Sequence, residues 1–325
     1  MDITKLTGNV VTTSMLDKVW LFYGAPGTRK TTVATHNTNE TLLLAFEIGY
    51  KFIPGVKALP LTNWYGLKDA IRQLDDPAAK EMYKTVVIDT VGLAYKACVS
   101  YICALKGVRA IGDIPYGQGY YLAKDEFEKT ILTIPQLGYG LVMIAHSSEL
   151  DDETNGYSVK VDIDKRPSQV IKGLADFILF ARKERADGAP EGKDEMTVYA
   201  YSETSNPNIE VKSRARFFPK RFEFDYKNLE KALEDAINQQ DAFFKTESTD
   251  KPNFGIAKET AFDLDTIKAN IVALATELFK TPLSSRVAKV IETTLNGVRV
   301  SETTSAHAAQ LYTIYDELLE LKKSL

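Results

Sequence analysis

The stretch YGAPGTRKTT, residues 23–32, follows the apolar run VWLF at residues 19–22 and decides how the chain is interpreted. A strand that stops at a glycine-rich turn and passes into a helix directs consecutive backbone N–H groups toward one point. The positive end of the helix dipole faces the same point. Such a point suits a polyphosphate, so the stretch predicts a phosphate-binding loop between a strand and a helix.

Most positions of this stretch fit the pattern G-x-x-x-x-G-K-[ST]. Lys30 would reach the β- and γ-phosphates of a nucleotide, and Thr31 would hold Mg²⁺. The residues predicted to surround ATP are those of the loop: Gly24, Ala25, Pro26, Gly27, Thr28, Arg29, Lys30, Thr31 and Thr32. The alternative is an incidental glycine and proline turn between a strand and a helix.

Arg29 stands where the pattern has its last glycine. Gly24 and Gly27 remain free to take the positive φ values of a tight turn. We expect the residue before the lysine to lie in the first helical turn, with its Cβ pointing outward. Arg29 is therefore predicted to be tolerated by the fold, while ATP affinity and turnover are open to change.

Length and composition describe a globular chain. With 325 residues, it can bury one large α/β core and carry a second, small domain. No apolar run approaches the roughly 20 residues that cross a bilayer, and the start MDITKLTGN lacks the regions of a signal peptide. We expect a cytoplasmic protein with no membrane partner. A net charge of −4 argues against a uniformly basic nucleic-acid surface and leaves room for a local basic groove.

Short apolar runs alternate with helix-like segments along the first two thirds of the chain. This alternation predicts an α/β fold with a mainly parallel, doubly wound sheet. The expected core strands are residues 18–23, 41–46, 85–89 and 140–146, and further strands are expected at 175–182, 196–201, 209–215 and 221–226. The last of these predict a C-terminal β-hairpin.

Composition also predicts the domain organisation. Residues 1–245 form the expected core, residues 246–254 a linker, and residues 255–325 a small helical domain for oligomer contacts or partner docking. Within the core, the polar insertion at residues 147–166 leaves the carboxyl edge of the sheet. It is a candidate binding loop.

Polar residues close the predicted strands that follow the loop. Asp89 ends the run TVVID, Glu47 follows LLLAF, and His146 follows LVMIA. Asp89 is a candidate Mg²⁺ ligand, Glu47 a candidate base for water, and His146, with Ser147, a candidate sensor of the γ-phosphate. Each also has a structural explanation: a turn or helix cap for Asp89, solvated surface for Glu47, and a cap or core position for His146.

The segments GAPGTRKTT, LLLAFEIG, TVVIDTVG and GLVMIAHSS, in this order, resemble the core of RecA-type ATPases. They are most similar to the small phage recombination ATPases classed with single-strand annealing proteins, the RecA-like Sak group. The segment DIPYGQGY at residues 113–120 adds to this likeness. The resemblance covers about residues 1–240 and implies a RecA-like P-loop core.

The resemblance implies roles for particular residues beside Lys30. By position, the catalytic base of the family falls on Glu47, and the residue that couples nucleotide state to the DNA loop falls on His146. The stretch EVKSRARFFPK at residues 210–220 resembles a RecA hairpin whose two basic residues reach the γ-phosphate of a neighbouring subunit. This implies that Lys212 and Arg214 act in trans, and a solvated basic strand edge is the alternative.

Three functions are compatible with these features. The first is a phage ATPase that assembles with itself, as a ring or a filament, on single-stranded DNA and promotes annealing or strand exchange. The second is a nucleotide-binding switch with little turnover, and the third is a helicase-loader-like protein that acts on other phage replication proteins. The candidate DNA contacts are basic and aromatic: Lys106, Arg109, Tyr116, Lys160, Lys165 and Arg166.

Overall fold

A computed structural model describes residues 10–152, 156–190, 195–251, 264–304 and 307–324. The chain forms two compact units, Met1–Ile256 and Ala257–Leu325. The first unit is an α/β structure around a mainly parallel sheet, and the second is helical. The predicted fold class is therefore confirmed.

One sheet of nine strands, counted over the described residues, organises the first unit. In chain order its strands are β1 (Val19–Gly24), β2 (Thr41–Ala45), β3 (Lys57–Pro60), β4 (Thr85–Asp89), β5 (Gly140–Ala145), β8 (Phe177–Arg185), β9 (Met196–Tyr201), β10 (Lys212–Ser213) and β11 (Arg221–Glu223). Their spatial order is β11-β9-β8-β1-β5-β4-β2-β3, with β10 also paired to β8. The strands from β8 to β3 run parallel, and β9, β10 and β11 add antiparallel pairs at one side.

Helices cover both faces of this sheet. In chain order they are α1 (Lys30–Ala34), α2 (Trp64–Gln73), α3 (Pro77–Met82), α4 (Val91–Lys106), α5 (Gln118–Gln136), α6 (Lys165–Leu174) and α7 (Tyr226–Phe244). Alternate residues of β1 enter opposite layers: Leu21 packs with α2, α4, α5 and α6, whereas Trp20 packs with α1 and α7. All six residues of β1 are buried, which explains its unbroken apolar sequence.

The register of the sheet brings distant segments to one edge. Ala45 lies beside Asp89, Asp89 beside Ile144, and Tyr23 beside Ala145. These residues end, or nearly end, four parallel strands, so the segments that follow all leave from the same edge of the sheet. The predicted phosphate loop is one of these segments.

Two local predictions differ from the structure. The segment expected to be a binding loop, residues 147–166, contains an antiparallel hairpin of β6 (Ser147–Asp152) and β7 (Gly156–Val161) before α6 begins. The many polar residues of this segment hide its strand pattern in the sequence, although Val159 and Val161 of β7 are buried in the core. The strand expected at residues 209–215 is reduced to the two residues of β10, because its neighbours bond to β7 and to the segment before β8 instead.

The segment at residues 210–220 does not fold back on itself. Its β10 pairs with β8, and the following β11 pairs with β9. The edge strand β3 was not predicted, because a run of four half-exposed residues carries little periodic signal. Pro77 begins α3 behind the Asp76 cap, after α2 has ended at Gln73.

The second unit contains three helices within its described residues, α8 (Leu264–Leu278), α9 (Ser284–Leu295) and α10 (Ala308–Lys323). They enclose an apolar core of their own, to which Ile271, Val287 and Leu318 contribute. The expected linker at residues 246–254 is only partly described. Within it, the Thr249 N–H donates to the Val11 carbonyl, and the Thr13 N–H donates to the Thr249 carbonyl.

Gly140 is a position where this architecture tolerates no side chain. A Cβ built there would lie 1.7 Å from the carbonyl oxygen of Leu16. We expect Gly140→Ala to lower the free energy of unfolding by about 2–3 kcal/mol, because the backbone of β5 must shift. Urea denaturation measures this loss. Gly173→Ala is the matched control, since a Cβ at this helical glycine meets nothing within 4 Å and should be neutral or slightly stabilising.

Candidate nucleotide-binding site

Two glycines shape the loop between β1 and α1. Gly27 has φ 78°, in the left-handed region that favours glycine. Gly24 has φ 153°, and a Cβ there would lie 2.1 Å from the carbonyl oxygen of Ala181 on β8. Gly24 therefore permits the close approach of two backbones at the point where the strand ends. The Thr28 hydroxyl braces the turn by donating to the Ala25 carbonyl at 2.8 Å.

Arg29 lies outside the first helical turn, so our expectation about its backbone is wrong. It is the N-cap of α1 and has φ 60° and ψ 11°, a left-handed conformation. This is the conformation that a glycine of the pattern would adopt without strain. The Arg29 side chain is exposed. The effect of having arginine in place of the pattern's glycine therefore falls on the backbone conformation at this position.

Lys30 is buried at the base of the loop. Its ammonium donates to the carbonyls of Gly24 and Ala25, each at 2.8 Å, and to the Thr28 hydroxyl at 3.2 Å. The residue is only 6% exposed. Burial lowers the pKa of Lys30 to about 8, although the nearby negative charges of Asp89 and Glu47 oppose that change.

Asp89 connects the loop helix to the neighbouring strands. Its carboxylate accepts a hydrogen bond from the Thr31 hydroxyl at 2.7 Å. Its backbone carbonyl accepts from the N–H groups of Phe46 and Glu47, at 2.7 and 3.0 Å. Burial raises the pKa of the Asp89 carboxyl, and the Thr31 hydrogen bond opposes the rise. A buried carboxylate held in this way is a strong candidate to receive a cation.

Glu47 and His146 meet at the same edge of the sheet. The Nε2 atom of His146 lies 3.0 Å from a carboxylate oxygen of Glu47, although ninety-nine positions separate them in the chain. The Glu47 side chain is 41% exposed, in contrast to the buried Asp89. The Nδ1 atom of His146 is buried and has no hydrogen-bond partner within the described part of the chain. The pair thus joins a solvent-accessible carboxylate to a mostly buried imidazole.

The residues present fit a magnesium nucleotide. The first N–H groups of an α-helix have no partner within the helix, and α1 begins at Lys30, directly after the loop. The Thr31 hydroxyl and the Asp89 carboxylate are hard oxygen ligands, which Mg²⁺ prefers. Lys30 would exchange its carbonyl partners for phosphate oxygens, and Thr31 with Asp89 would hold the ion.

Lys212 and Arg214 lie at the opposite edge of the sheet, where the parallel strands begin and not where they end. Lys212 pairs with Ile178 near the start of β8, whereas the loop follows the end of β1. The Lys212 ammonium donates to the carbonyls of Lys172 and Ala175, at 2.9 and 2.6 Å. Arg214 donates to the Asp176 carboxylate at 2.8 Å. Through Ile178, Lys212 is level with Leu21, three residues or about 10 Å before Gly24 along the strand direction. Because its ammonium is also bonded to the end of α6, it does not contact the loop of its own chain.

The candidate DNA-contact residues lie on exposed segments. Tyr116 is 98% exposed, and Lys160 is exposed on β7 of the hairpin that follows His146. The Arg166 guanidinium lies 4.6 Å from the centre of the Tyr120 ring, a contact that the sequence did not predict. The two residues lie far apart in the sequence, so no local pattern pointed to this pair.

Arg29→Gly should stabilise the protein by about 1 kcal/mol. The change replaces a side chain in a left-handed backbone with the residue that accepts this conformation. Denaturant unfolding measures the gain, and ATP titration should show nucleotide binding retained. Arg29→Ala keeps the strain and removes the same charge, so it should show no gain. Equal stabilisation by both variants would contradict the backbone explanation.

A family model described as an AAA domain matches residues 16–215. The chain is also similar to the SPbeta prophage-derived uncharacterized protein YorG of Bacillus subtilis (strain 168), with 26% identity over 99% of this chain and 98% of the relative. Among solved structures, it is similar to the KaiC-like protein PH0186 from Pyrococcus horikoshii OT3, at 11% identity and a TM-score of 0.36, over 65% of this chain and 86% of that one.

Across the described residues, no helix is both long and apolar enough to cross a membrane.

The AAA match covers more than half of the chain and includes the loop, Glu47, Asp89 and His146. The chain therefore belongs to the AAA domain family.

Proposed function

We propose that this protein is a Mg²⁺-dependent ATPase of a phage that binds single-stranded DNA under the control of its nucleotide state and assembles with ATP at subunit interfaces. The observation that carries the proposal is the meeting of four elements at one sheet edge. There, buried Lys30 lies in the loop, Thr31 bonds to Asp89, and Glu47 bonds to His146. This combination suits hydrolysis better than simple nucleotide storage.

The two carboxylates have environments that suit different tasks. Asp89 is 4% exposed and bonded to Thr31, so it is placed to hold the ion. Glu47 is 41% exposed and can accept a proton from water, while His146 fixes its orientation. Mg²⁺, when bound, neutralises charge on the β- and γ-phosphates. The Lys30 ammonium adds a positive charge in a setting shielded from water.

The hairpin of β6 and β7 connects this chemistry to DNA. It begins directly after His146 and ends just before α6, and the Asp162 N–H donates to the His146 carbonyl at 2.9 Å. Lys160 on the hairpin and Arg166 on α6 offer positive charge for phosphates, and Tyr120 offers a stacking surface. A change at His146 would thus alter the position of groups that contact a strand.

The separation of the basic pair from its own loop supports self-assembly. Lys212 and Arg214 lie at one edge of the sheet and the nucleotide residues at the other, so a head-to-tail neighbour could complete the site. Both residues then exchange contacts to their own chain for contacts to the neighbour's γ-phosphate. The prophage origin of the YorG relative supports the phage setting. The assignment to the Sak-type recombination group rests on the motifs quoted above.

A second candidate is a nucleotide-binding switch or helicase-loader-like accessory protein with little ATP turnover. It is favoured by the three hydrogen bonds that Lys30 makes to its own loop, because these must be broken before phosphate is bound. In that case the helical unit of residues 257–325 would act on another replication protein. Turnover separates the two candidates.

Glu47→Gln should retain ATP binding and lose about 100-fold in the rate of hydrolysis, because the amide cannot accept a proton from water.

With ATP, this variant should bind a fluorescent oligonucleotide at least about fivefold more tightly than with ADP, and salt should weaken both complexes. Fluorescence anisotropy and phosphate release measure the two effects, and Lys30→Ala, which should not bind ATP, is the control. Equal DNA affinity with ATP, ADP and no nucleotide would contradict the DNA role, and full activity of Glu47→Gln would remove the base assignment.

Action in trans can be tested by complementation. Lys212→Ala and Glu47→Gln should each be inactive alone, because every site in a uniform assembly lacks one component. Mixed in equal amounts, they should regain on the order of a quarter of wild-type hydrolysis, since a random neighbour pair then combines an intact Glu47 with an intact Lys212. No recovery in assemblies that contain both variants would show that Lys212 does not act on a neighbour.

A further inference from the structure

Glu210 lies between the hairpin that follows the nucleotide site and the basic pair at the far edge of the sheet. One of its carboxylate oxygens accepts from the Val161 N–H on β7 at 3.1 Å. The other accepts from the Lys172 ammonium on α6 at 2.5 Å. One side chain therefore joins β7, α6 and the segment that leads into β10.

The backbone around Glu210 is attached to the same hairpin. The Glu210 N–H donates to the Val159 carbonyl at 3.3 Å, and the Val159 N–H donates to the Asn208 carbonyl at 3.0 Å. The Asn206 side-chain amide donates to the Tyr157 carbonyl at 2.9 Å. The segment before Lys212 is thus fixed to β7 at several points, and displacement of the hairpin carries it along.

Lys172 links Glu210 to the basic pair, Lys212 and Arg214. Its ammonium bonds to Glu210, and its backbone carbonyl accepts from the Lys212 ammonium. Arg214 bonds to Asp176 and to the carbonyl of Gly173 in the same turn of chain. The end of α6 therefore holds both basic side chains, and Glu210 holds the end of α6 against the hairpin.

The path from the candidate nucleotide site to Glu210 is also short. Val161 pairs with Ser147, the residue after His146, in the hairpin register. Burial raises the pKa of Tyr23, and the negative charge of Glu210 raises it further. Tyr23 immediately precedes Gly24 of the phosphate loop, so the charge of Glu210 acts on a residue next to the loop.

We propose that Glu210 is a positioning residue that couples the nucleotide and DNA state of one subunit to Lys212 and Arg214, the residues it offers to the next subunit. The inference rests on the proposed function and deepens it. A change at His146 moves the β6–β7 hairpin, the Glu210 contacts transmit the displacement to α6, and the Lys172 carbonyl releases or retains Lys212. A residue that contacts neither ATP nor DNA thereby sets how strongly the two ligands influence each other.

The test measures the coupling ratio, defined as the dissociation constant for an oligonucleotide with ADP divided by that with a non-hydrolysable ATP analogue. Glu210→Gln keeps an acceptor for the Val161 N–H and removes the charge that Lys172 requires. We expect it to lower the coupling ratio about fivefold, equivalent to about 1 kcal/mol, with ATP affinity in the absence of DNA unchanged. Linkage requires the same loss in the preference for the ATP analogue over ADP, measured with DNA relative to without DNA.

Lys172→Met removes the ion pair from the other side and should lower the ratio to a similar degree. If both act through one contact, the double variant should be no worse than either single variant. The matched control is the exposed pair of Glu203 and Lys220, at 2.6 Å, which lies off this connection. Glu203→Gln and Lys220→Met should leave the coupling ratio unchanged.

The outcomes distinguish this inference from the proposed function. A wild-type coupling ratio of one would overturn both. A wild-type ratio above one that persists in folded Glu210→Gln and Lys172→Met would overturn the inference alone, as would a double variant whose loss is the product of the single losses. A purely structural role would lower the thermal midpoint and leave the ratio intact. If Glu210→Gln fails to fold, Lys172→Met and its control decide the question.

Discussion

The Asp89 residue at the end of β4 is the point on which the candidate site depends. Its carboxylate accepts from Thr31 of α1, and its backbone carbonyl accepts from Phe46 and Glu47 at the end of β2. One residue thereby fixes the helix that begins the loop and the strand that delivers the candidate base. Because Asp89 is buried, these bonds are made where water does not compete for them.

The site places charge in positions that cost folding energy. Burial lowers the pKa of Lys30 and raises the pKa of Asp89, so both groups are less easily charged than they would be in water. Arg29 holds a left-handed backbone that favours glycine. Such costs are typical of residues selected for binding and chemistry, where a preformed polar environment is more useful than maximal stability.

The same sheet separates the two halves of the proposed composite site. Parallel strands deliver Lys30, Glu47, Asp89 and His146 to one edge because every crossover returns the chain to the same starting edge. The antiparallel pairing of β10 with β8 leaves Lys212 at the other edge. A chain built in this way can complete its site through a copy of itself, and Glu210 lies where the two edges can influence each other.

The sequence alone determined the α/β class, the parallel core strands, the phosphate loop and the polar residues that close the strands. These features are local: burial on both faces requires continuous apolar runs, and the strand, glycine turn and helix follow one another within a few residues. Only the tertiary structure decided the contact of Glu47 with His146, the left-handed backbone of Arg29, the hairpin after His146, and the place of Glu210 between Val161 and Lys172. These depend on sheet register and on packing between segments far apart in the chain, which no local pattern of residue types encodes.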